Sequence, residues 1–196
     1  MEEVGMEVPL RRDKISIEPS RDGGIRGGVV LVATGSFNPP TYMHLRMFEL
    51  AKDELQQRGY YVLGGYMSPV NDAYKKKDLL PTAHRIRFCE LACKSSSFVM
   101  VDPWEVRTIC KDFGVICIRR EGKDVGNLIA GSDILQECRD NIISVDEIVP
   151  NQISSSRVRD CIKRCLSIKY LTCDELIEYI REHKLFMEAE GGDTRL

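Results

Sequence analysis

The sequence predicts an α/β fold with a mainly parallel, Rossmann-like sheet and helices on both of its faces. Short apolar runs alternate with segments of helical periodicity along the chain, which is the pattern of repeated βαβ units. One run, 114–118, is apolar on both faces, as a buried parallel strand is. The candidate ligand-binding motifs directly follow predicted strands, where parallel sheets bind their ligands.

The first half of the chain holds three predicted strands and two predicted helices. Val29–Thr34 predicts the first strand, and about Thr41–Gln57 predicts a helix whose apolar residues recur at helical spacing. Tyr60–Met67 predicts the second strand and Phe98–Val101 the third. The helix between them opens at Pro81.

The second half continues the alternation. Gly114–Ile118 and a run around Ile142–Val149 predict two further strands. Ser154 is placed to cap the next helix. Thr172 with Glu175 predicts a capping box at the start of the last helix.

Length and composition favour one domain. The 196 residues, 43% of them hydrophobic, suffice for one core, which we place at residues 29–187. Residues 1–28 and 188–196 are expected to form disordered or loosely attached tails. A net charge of -2 gives no bulk electrostatic case for binding nucleic acid or an anionic membrane. No run approaches a membrane span, so an intracellular location, cytoplasmic or nuclear, is expected.

The eight cysteines form no C-x-x-C pair. Two pairs, Cys89/Cys93 and Cys161/Cys165, are four residues apart on predicted helices. We interpret them as small buried apolar groups rather than as a metal or redox site. Reduced thiols are expected in an intracellular setting.

The segment from Gly35 to Arg46 carries the strongest functional signal. It joins the first strand to the first helix through a glycine turn. Such a turn lets backbone approach a ligand, and the helix N-terminus offers unpaired N–H groups and a positive dipole, so the segment favours a phosphate. His44 and Arg46 are expected at the mouth of this site. Neither a G-x-G-x-x-G motif nor a P-loop is present there.

The same segment resembles the G-x-F-x-P-x-[HT]-x-x-H signature of the nucleotidyltransferase superfamily, with the matching residues Gly35, Phe37, Pro39, Thr41 and His44. Three later blocks, 68–77, 101–105 and 151–159, resemble its eukaryotic, NAD-forming branch in the same order. The chain therefore resembles nicotinamide/nicotinate mononucleotide adenylyltransferases, plant forms most of all, from about residue 29 to about residue 186.

This resemblance implies transfer of AMP from ATP to nicotinamide or nicotinate mononucleotide, which gives NAD or its deamido form and pyrophosphate. The 5′-phosphate of the mononucleotide attacks the α-phosphorus of ATP, so no protein nucleophile is needed. Catalysis then depends on aligning two anions and neutralising the charge that develops on their oxygens. His44 and Arg159 are the predicted catalytic residues.

The predicted ATP and phosphate ligands are Gly35, Ser36, His44, Lys76, Ser156, Arg157 and Arg159. By the resemblance, the positions that contact the mononucleotide or NAD are Tyr74, Trp104, Arg120 and Asn151. Mg²⁺ is expected to bridge the ATP phosphates, and no protein ligand for it is predicted. Family members commonly self-associate, so a homo-oligomer is also implied.

The connection after the third strand is shorter than the resemblance requires. Only Pro103–Phe113 is left for the return, whereas a parallel crossover usually needs a dozen or more residues. In the family, a helix and a central strand ending in G-[SA]-D-L-L follow the positions of Trp104 and Glu105. We predict that this strand and its flanking helix are absent and that the first strand is left partly unpaired. Gly131–Leu135 imitates the motif, but the run before it is too short for a central strand.

Three readings stay open at this stage. One is a working adenylyltransferase of NAD synthesis. Another is a catalytically impaired, shortened variant that only binds nucleotide or a full-length partner. The third, a nucleotidyltransferase of the pantetheine-phosphate type, is disfavoured by Trp104 and the Asn71–Tyr74 block. Outside the motif context, Lys75–Lys77 would be a solvent-exposed patch and Trp104 a core residue.

Overall fold

The computed structural model describes residues 11–16, 27–70, 72, 76, 78–102, 115–119, 142–149 and 151–187. The predicted α/β alternation is confirmed in these ranges. The elements are β1 Gly27–Gly35, α1 Tyr42–Gln57, β2 Tyr60–Pro69, α2 Thr82–Cys93, β3 Val99–Val101, β4 Val115–Arg119, β5 Ile142–Asp146, α3 Ser155–Lys163 and α4 Asp174–Glu182.

The described strands form two separate parallel sheets. One has the order β1-β2-β3, and the other consists of β4 and β5. Within the described residues, β1 pairs with β2 on one side and with no strand on the other. This arrangement agrees with the predicted lack of a central strand beside the first strand.

The main core lies between the β1-β2-β3 sheet and the helices α1 and α2. Phe48 of α1 and Cys93 of α2 pack with Met67 and Val99 of the sheet, and all four are buried. Gly65 permits this approach, because a Cβ there would lie 2.8 Å from the Phe48 ring. Burial raises the pKa of the Cys93 thiol to about 12, so the thiol stays protonated and serves as an apolar group, as predicted. The prediction of burial is wrong for the second pair, because Cys161 is half-buried and Cys165 is exposed beyond the end of α3.

A second core joins α2 to α3 and α4. Its fully buried members are Phe88, Val158 and Leu176, one from each helix. The predicted capping box for α4 is wrong, because the N-cap is Cys173 rather than Thr172. The Thr172 hydroxyl instead donates to the Pro40 carbonyl at 3.0 Å. This bond connects the start of α4 to the loop after β1.

Residues 11–16 lie against the sheet. The Ser16 N–H donates to the Leu63 carbonyl at 2.8 Å. Lys14 Nζ donates to three carbonyls, those of Cys93 at 2.6 Å, Ser96 at 2.6 Å and Val99 at 3.2 Å. These six residues are therefore ordered, unlike the disordered tail expected for residues 1–28. The three carbonyls hold the Lys14 ammonium in place.

The rest of both predicted tails lies outside the described residues, and the domain limits 29–187 stay a prediction. Among the described helices, none has the length and apolar character needed to cross a membrane.

Candidate active site

The loop Ser36–Pro40 connects β1 to α1 and is fixed from several sides. Phe37 turns its ring into the core and takes a positive φ of 41°. Asn38 is 3% exposed. Its side-chain Nδ2 donates to the Asp78 carbonyl at 2.8 Å, and its Oδ1 accepts from the Leu80 N–H at 3.3 Å. The loop is therefore held in place before any ligand binds.

His44 lies in the first turn of α1, and its ring orientation is set by the helix N-cap. The backbone N–H of Thr41 donates to His44 Nδ1 at 3.0 Å. Because this donor is fixed, the ring accepts at Nδ1, and in neutral imidazole the proton then lies on Nε2. The edge-on contact with Phe37, 5.4 Å between ring centroids, holds the ring plane. His44 is thus an Nε2–H donor at the helix N-terminus.

Lys76 reaches the same loop from the segment after β2. Its Nζ donates to Ser36 Oγ at 3.3 Å across the exposed surface. A flexible ammonium at this distance is placed to follow a phosphate that binds over the turn.

Helix α3 brings a second helix N-terminus to the loop. Ser154 caps the helix by accepting the Arg157 N–H at 3.3 Å, as predicted. Ser155 Oγ donates to the Pro39 carbonyl at 2.7 Å, and Arg159 Nη1 donates to the Asn38 carbonyl at 2.7 Å. The first turns of α1 and α3 therefore meet at Ser36–Pro40.

The electrostatics of this junction favour an anion. The first turns of both helices contain no acidic residue. Two positive dipole ends, the Lys76 ammonium and the Arg159 guanidinium converge on one loop, which is the arrangement that binds phosphate in proteins. Arg159 Nη2 also lies 3.4 Å from Ser156 Oγ, so it is oriented at both nitrogens.

Arg85 is a structural member of the site that sequence reasoning missed. It lies in α2 and is completely buried. Its guanidinium donates to the Leu80 carbonyl at 2.8 Å, the Ser36 carbonyl at 3.3 Å, Thr82 Oγ1 at 2.8 Å and Asp72 Oδ1 at 3.0 Å. The signal was its spacing, because an arginine at positions i−3 and i−4 from Phe88 and Cys89 lies on the buried stripe.

Asp72 completes this support. Hydrogen bonds from Thr82, and then the Arg85 guanidinium, lower the pKa of its carboxyl below 3.8. The Asp72 side chain is 58% exposed, so solvent screens this ion pair on one side.

Asn151 lies on the segment between β5 and α3. Its side-chain oxygen accepts the Ile153 N–H at 2.9 Å. With Tyr42, Arg46 and Glu147 it lines a cavity of about 500 Å³, whose lining does not include His44, Lys76 or Arg159. Arg46, predicted to lie at the phosphate mouth, pairs its guanidinium with Glu147 at 3.5 Å, and its place at that mouth stays a prediction.

The other predicted site residues divide into two groups. Ser156 and Arg157 are exposed on the first turn of α3. Tyr74, Trp104 and Arg120 lie outside the described residues, so their roles stay predictions. Across the described ranges, no group of three or more His, Cys, Asp or Glu side chains could hold a metal ion.

Comparison with known proteins establishes the family. A cytidylyltransferase-like family model matches residues 32–161. Over 250 aligned positions the chain is 62% identical to the nicotinamide/nicotinic acid mononucleotide adenylyltransferase of Oryza sativa subsp. japonica, with 100% of each chain covered. The chain belongs to this adenylyltransferase family.

Other members agree with this assignment. The adenylyltransferase of the same name from Arabidopsis thaliana is 48% identical, with 93% of this chain and 99% of that protein covered. Among solved structures, the Plasmodium falciparum nicotinic acid mononucleotide adenylyltransferase complexed with APC has a TM-score of 0.55 at 14% identity. That match covers 80% of this chain and 96% of the other, and it supports the nucleotidyltransferase fold.

The alignment with the rice adenylyltransferase also measures what this chain lacks. It spans 250 positions and covers both proteins fully, whereas this chain has 196 residues, so about 54 positions of the rice protein have no counterpart here. This number of residues suffices for a strand and a helix. The unpaired side of β1 agrees with a gap at the predicted place, after residue 105.

Proposed function

We propose that this chain transfers AMP from ATP to nicotinamide or nicotinate mononucleotide and so forms NAD, or its deamido form, and pyrophosphate. A 5′-phosphate oxygen of the mononucleotide forms a bond to the α-phosphorus of ATP, and the bond from that phosphorus to the β-phosphate oxygen breaks. The observation that carries the proposal is the meeting of two helix N-termini, His44, Lys76 and Arg159 at Ser36–Pro40, in a member of this family.

The side chains have separate roles in this reaction. His44 donates from Nε2 to an α-phosphate oxygen as charge builds up there. Arg159 holds phosphate oxygens from α3, and Lys76 follows the β- and γ-phosphates over Ser36. The attacking phosphate is already an anion, so no protein base is required.

The remaining predicted residues complete the two substrate subsites. Ser156 and Arg157 extend the phosphate site along the first turn of α3, and the Gly35 backbone approaches the phosphates. Tyr74, Trp104, Arg120 and Asn151 are proposed for the mononucleotide. We propose no protein ligand for Mg²⁺, which, when bound with ATP, would supply charge neutralisation for the leaving pyrophosphate.

Two wider expectations belong to the same proposal. One is an intracellular site of action, in the cytoplasm or the nucleus. The other is self-association of the 29–187 domain, which the family resemblance implies.

A specific observation favours a second candidate function. Because β1 has no partner on its second side in the described part of the chain, part of the nucleotide-binding edge of the sheet is incomplete. The alternative is a catalytically impaired form that binds nucleotide at the phosphate loop, or binds a full-length partner, without turnover.

The deciding experiment measures Mg²⁺-dependent NAD formation from ATP and nicotinamide mononucleotide by the purified chain. Turnover is expected, and His44→Ala is expected to lower kcat by about 10²- to 10³-fold, the effect of removing one donor to a transition-state oxyanion. His183→Ala, which removes an exposed histidine at the end of α4, is the matched control and should keep full activity. Absence of NAD formation by a folded sample would replace the first function with the second.

A further inference from the structure

The backbone of β1 has one edge that no described strand pairs, and the residues whose N–H and C=O groups face it can be assigned. The Val70 N–H donates to the Gly35 carbonyl at 3.0 Å, and Gly35 is in register with Pro69, so the peptide groups of Gly35 face β2. Successive residues of a strand point their N–H and C=O groups to opposite edges. The groups of Val30, Val32 and Thr34 therefore face the side on which no described strand pairs.

The side chains of the same residues are also uncovered. Val30 is 44% exposed and Val32 is 39% exposed, whereas their neighbours Leu31 and Ala33 pack against the core. The strand GGVVLVATG contains no charged residue. A long, uncharged apolar edge is a template for pairing with another strand, and native sheets normally protect it.

The second sheet packs against the same core as β1, and among the described residues it does not pair with β1. Ile116 of β4 and Ile143 of β5 pack against the core that contains Val29 and Leu31. The β4 and β5 strands pair with each other in parallel, and within the described residues neither pairs with β1. Among the described residues, the two parallel sheets therefore share a core without a strand that joins them.

We infer that the edge of β1 that no described strand covers is a docking site for a β-strand and covering helix supplied in trans by a longer member of the family. The occupant is argued from length, because about 54 positions of the rice relative have no counterpart here, which is enough for a strand of ordinary length and a helix over Val30 and Val32. Strand addition supplies main-chain hydrogen bonds, and the helix buries the exposed valines.

Docking is tested without substrates, so its failure is separate from a failure of adenylyl transfer. The probe is a recombinant peptide that contains the rice residues unmatched in this chain, labelled for fluorescence anisotropy. Amide exchange by NMR is followed on the unmodified chain with and without the peptide. The amides of Val30, Val32 and Thr34 should slow by about tenfold or more, while those of Leu31 and Ala33, already bonded to β2, should change little.

Two variants at one position distinguish pairing along the strand edge from nonspecific hydrophobic binding. Val32→Pro removes an outward N–H and leaves the ladder to β2 intact, because proline is tolerated on an edge. Its affinity for the peptide should fall by about tenfold or more, whereas Val32→Thr, which keeps the N–H and the shape, should stay within about threefold. If Val32→Pro does not fold, the exchange pattern of the unmodified chain decides.

Four results would overturn this inference. One is equal binding by the folded proline variant, and another is peptide binding that leaves the exchange at Val30, Val32 and Thr34 unchanged. The third is a homodimer of this chain that Val32→Pro dissociates while the peptide does not bind, since the occupant would then be a second copy. The fourth is failure of the peptide to bind the folded chain.

Discussion

The two regions around β1 differ sharply in how completely they are built. At its carboxyl end, the loop Ser36–Pro40 is bonded by Arg85 from α2, Ser155 and Arg159 from α3, and Thr172 before α4. Along its free edge, the described residues offer no strand partner, and Val30 and Val32 are exposed. The residues that bond the loop lie in α2, in α3 and before α4. The phosphate site is therefore held in place although no described strand pairs with the second edge of β1.

Replacing Arg85 gives the largest expected effect on this comparison. Arg85→Met should lower the free energy of unfolding by about 3 kcal/mol, because it removes the buried guanidinium that donates to the half-buried carbonyls of Ser36 and Leu80. Urea unfolding followed by circular dichroism measures the change.

The matched control for this variant is Arg87→Met on the same helix. Arg87 pairs with Glu90 at the surface, so its loss should cost less than about 0.5 kcal/mol. Equal costs for the two variants would mean that the loop does not depend on the buried guanidinium.

Lys14 tests the covered part of the sheet against the bare part. Lys14→Met should lower the free energy of unfolding by about 2 kcal/mol, because three carbonyls at the end of α2 and the start of β3 lose a charged donor. Thermal unfolding compares it with Arg11→Met, which breaks only an exposed ion pair. If Lys14→Met is as stable as the unmodified protein, the contacts of Lys14 do not stabilise the fold, and residues 11–16 are a loosely attached tail.

Lys76 tests the exposed rim of the phosphate site. Lys76→Ala should raise the KM for ATP by about fivefold with a smaller effect on kcat, because an exposed ammonium contributes up to about 1 kcal/mol. Initial rates at varied ATP give both constants. Lys163→Ala, at the far end of α3, is the control, and a similar rise in KM there would indicate a general charge effect.

Asp72 gives the smallest expected effect, through pH. Its folded pKa lies below 3.8, so its contribution to stability is fully present above that value and is lost as pH falls through the folded pKa. Below about pH 4 the unmodified protein should therefore lose stability more steeply than Asp72→Asn. Acid titration of unfolding measures both slopes, and parallel curves would show that the Thr82 and Arg85 contacts do not stabilise the carboxylate.

Much of the site was readable from local pattern. The predicted helix start near Thr41 and the predicted cap at Ser154 are confirmed, because capping and glycine-turn signals depend on residues next to each other. The ion pair of Arg46 with Glu147 was not predicted, because the two residues are a hundred positions apart in sequence. Thr172 was misread for the same reason, since the Pro40 carbonyl competes for its hydroxyl.

The sequence by itself determined the order of strands and helices, the phosphate-loop motif and the shortness of the connection after β3, because periodicity and motif spacing are local properties. Only the tertiary structure decided that Arg85 supports Ser36, that Lys14 fixes residues 11–16 on the sheet, and that β1 has an open edge. Those features depend on which distant groups need a partner once the chain is folded, and a buried carbonyl or an unpaired strand exists only in the folded state.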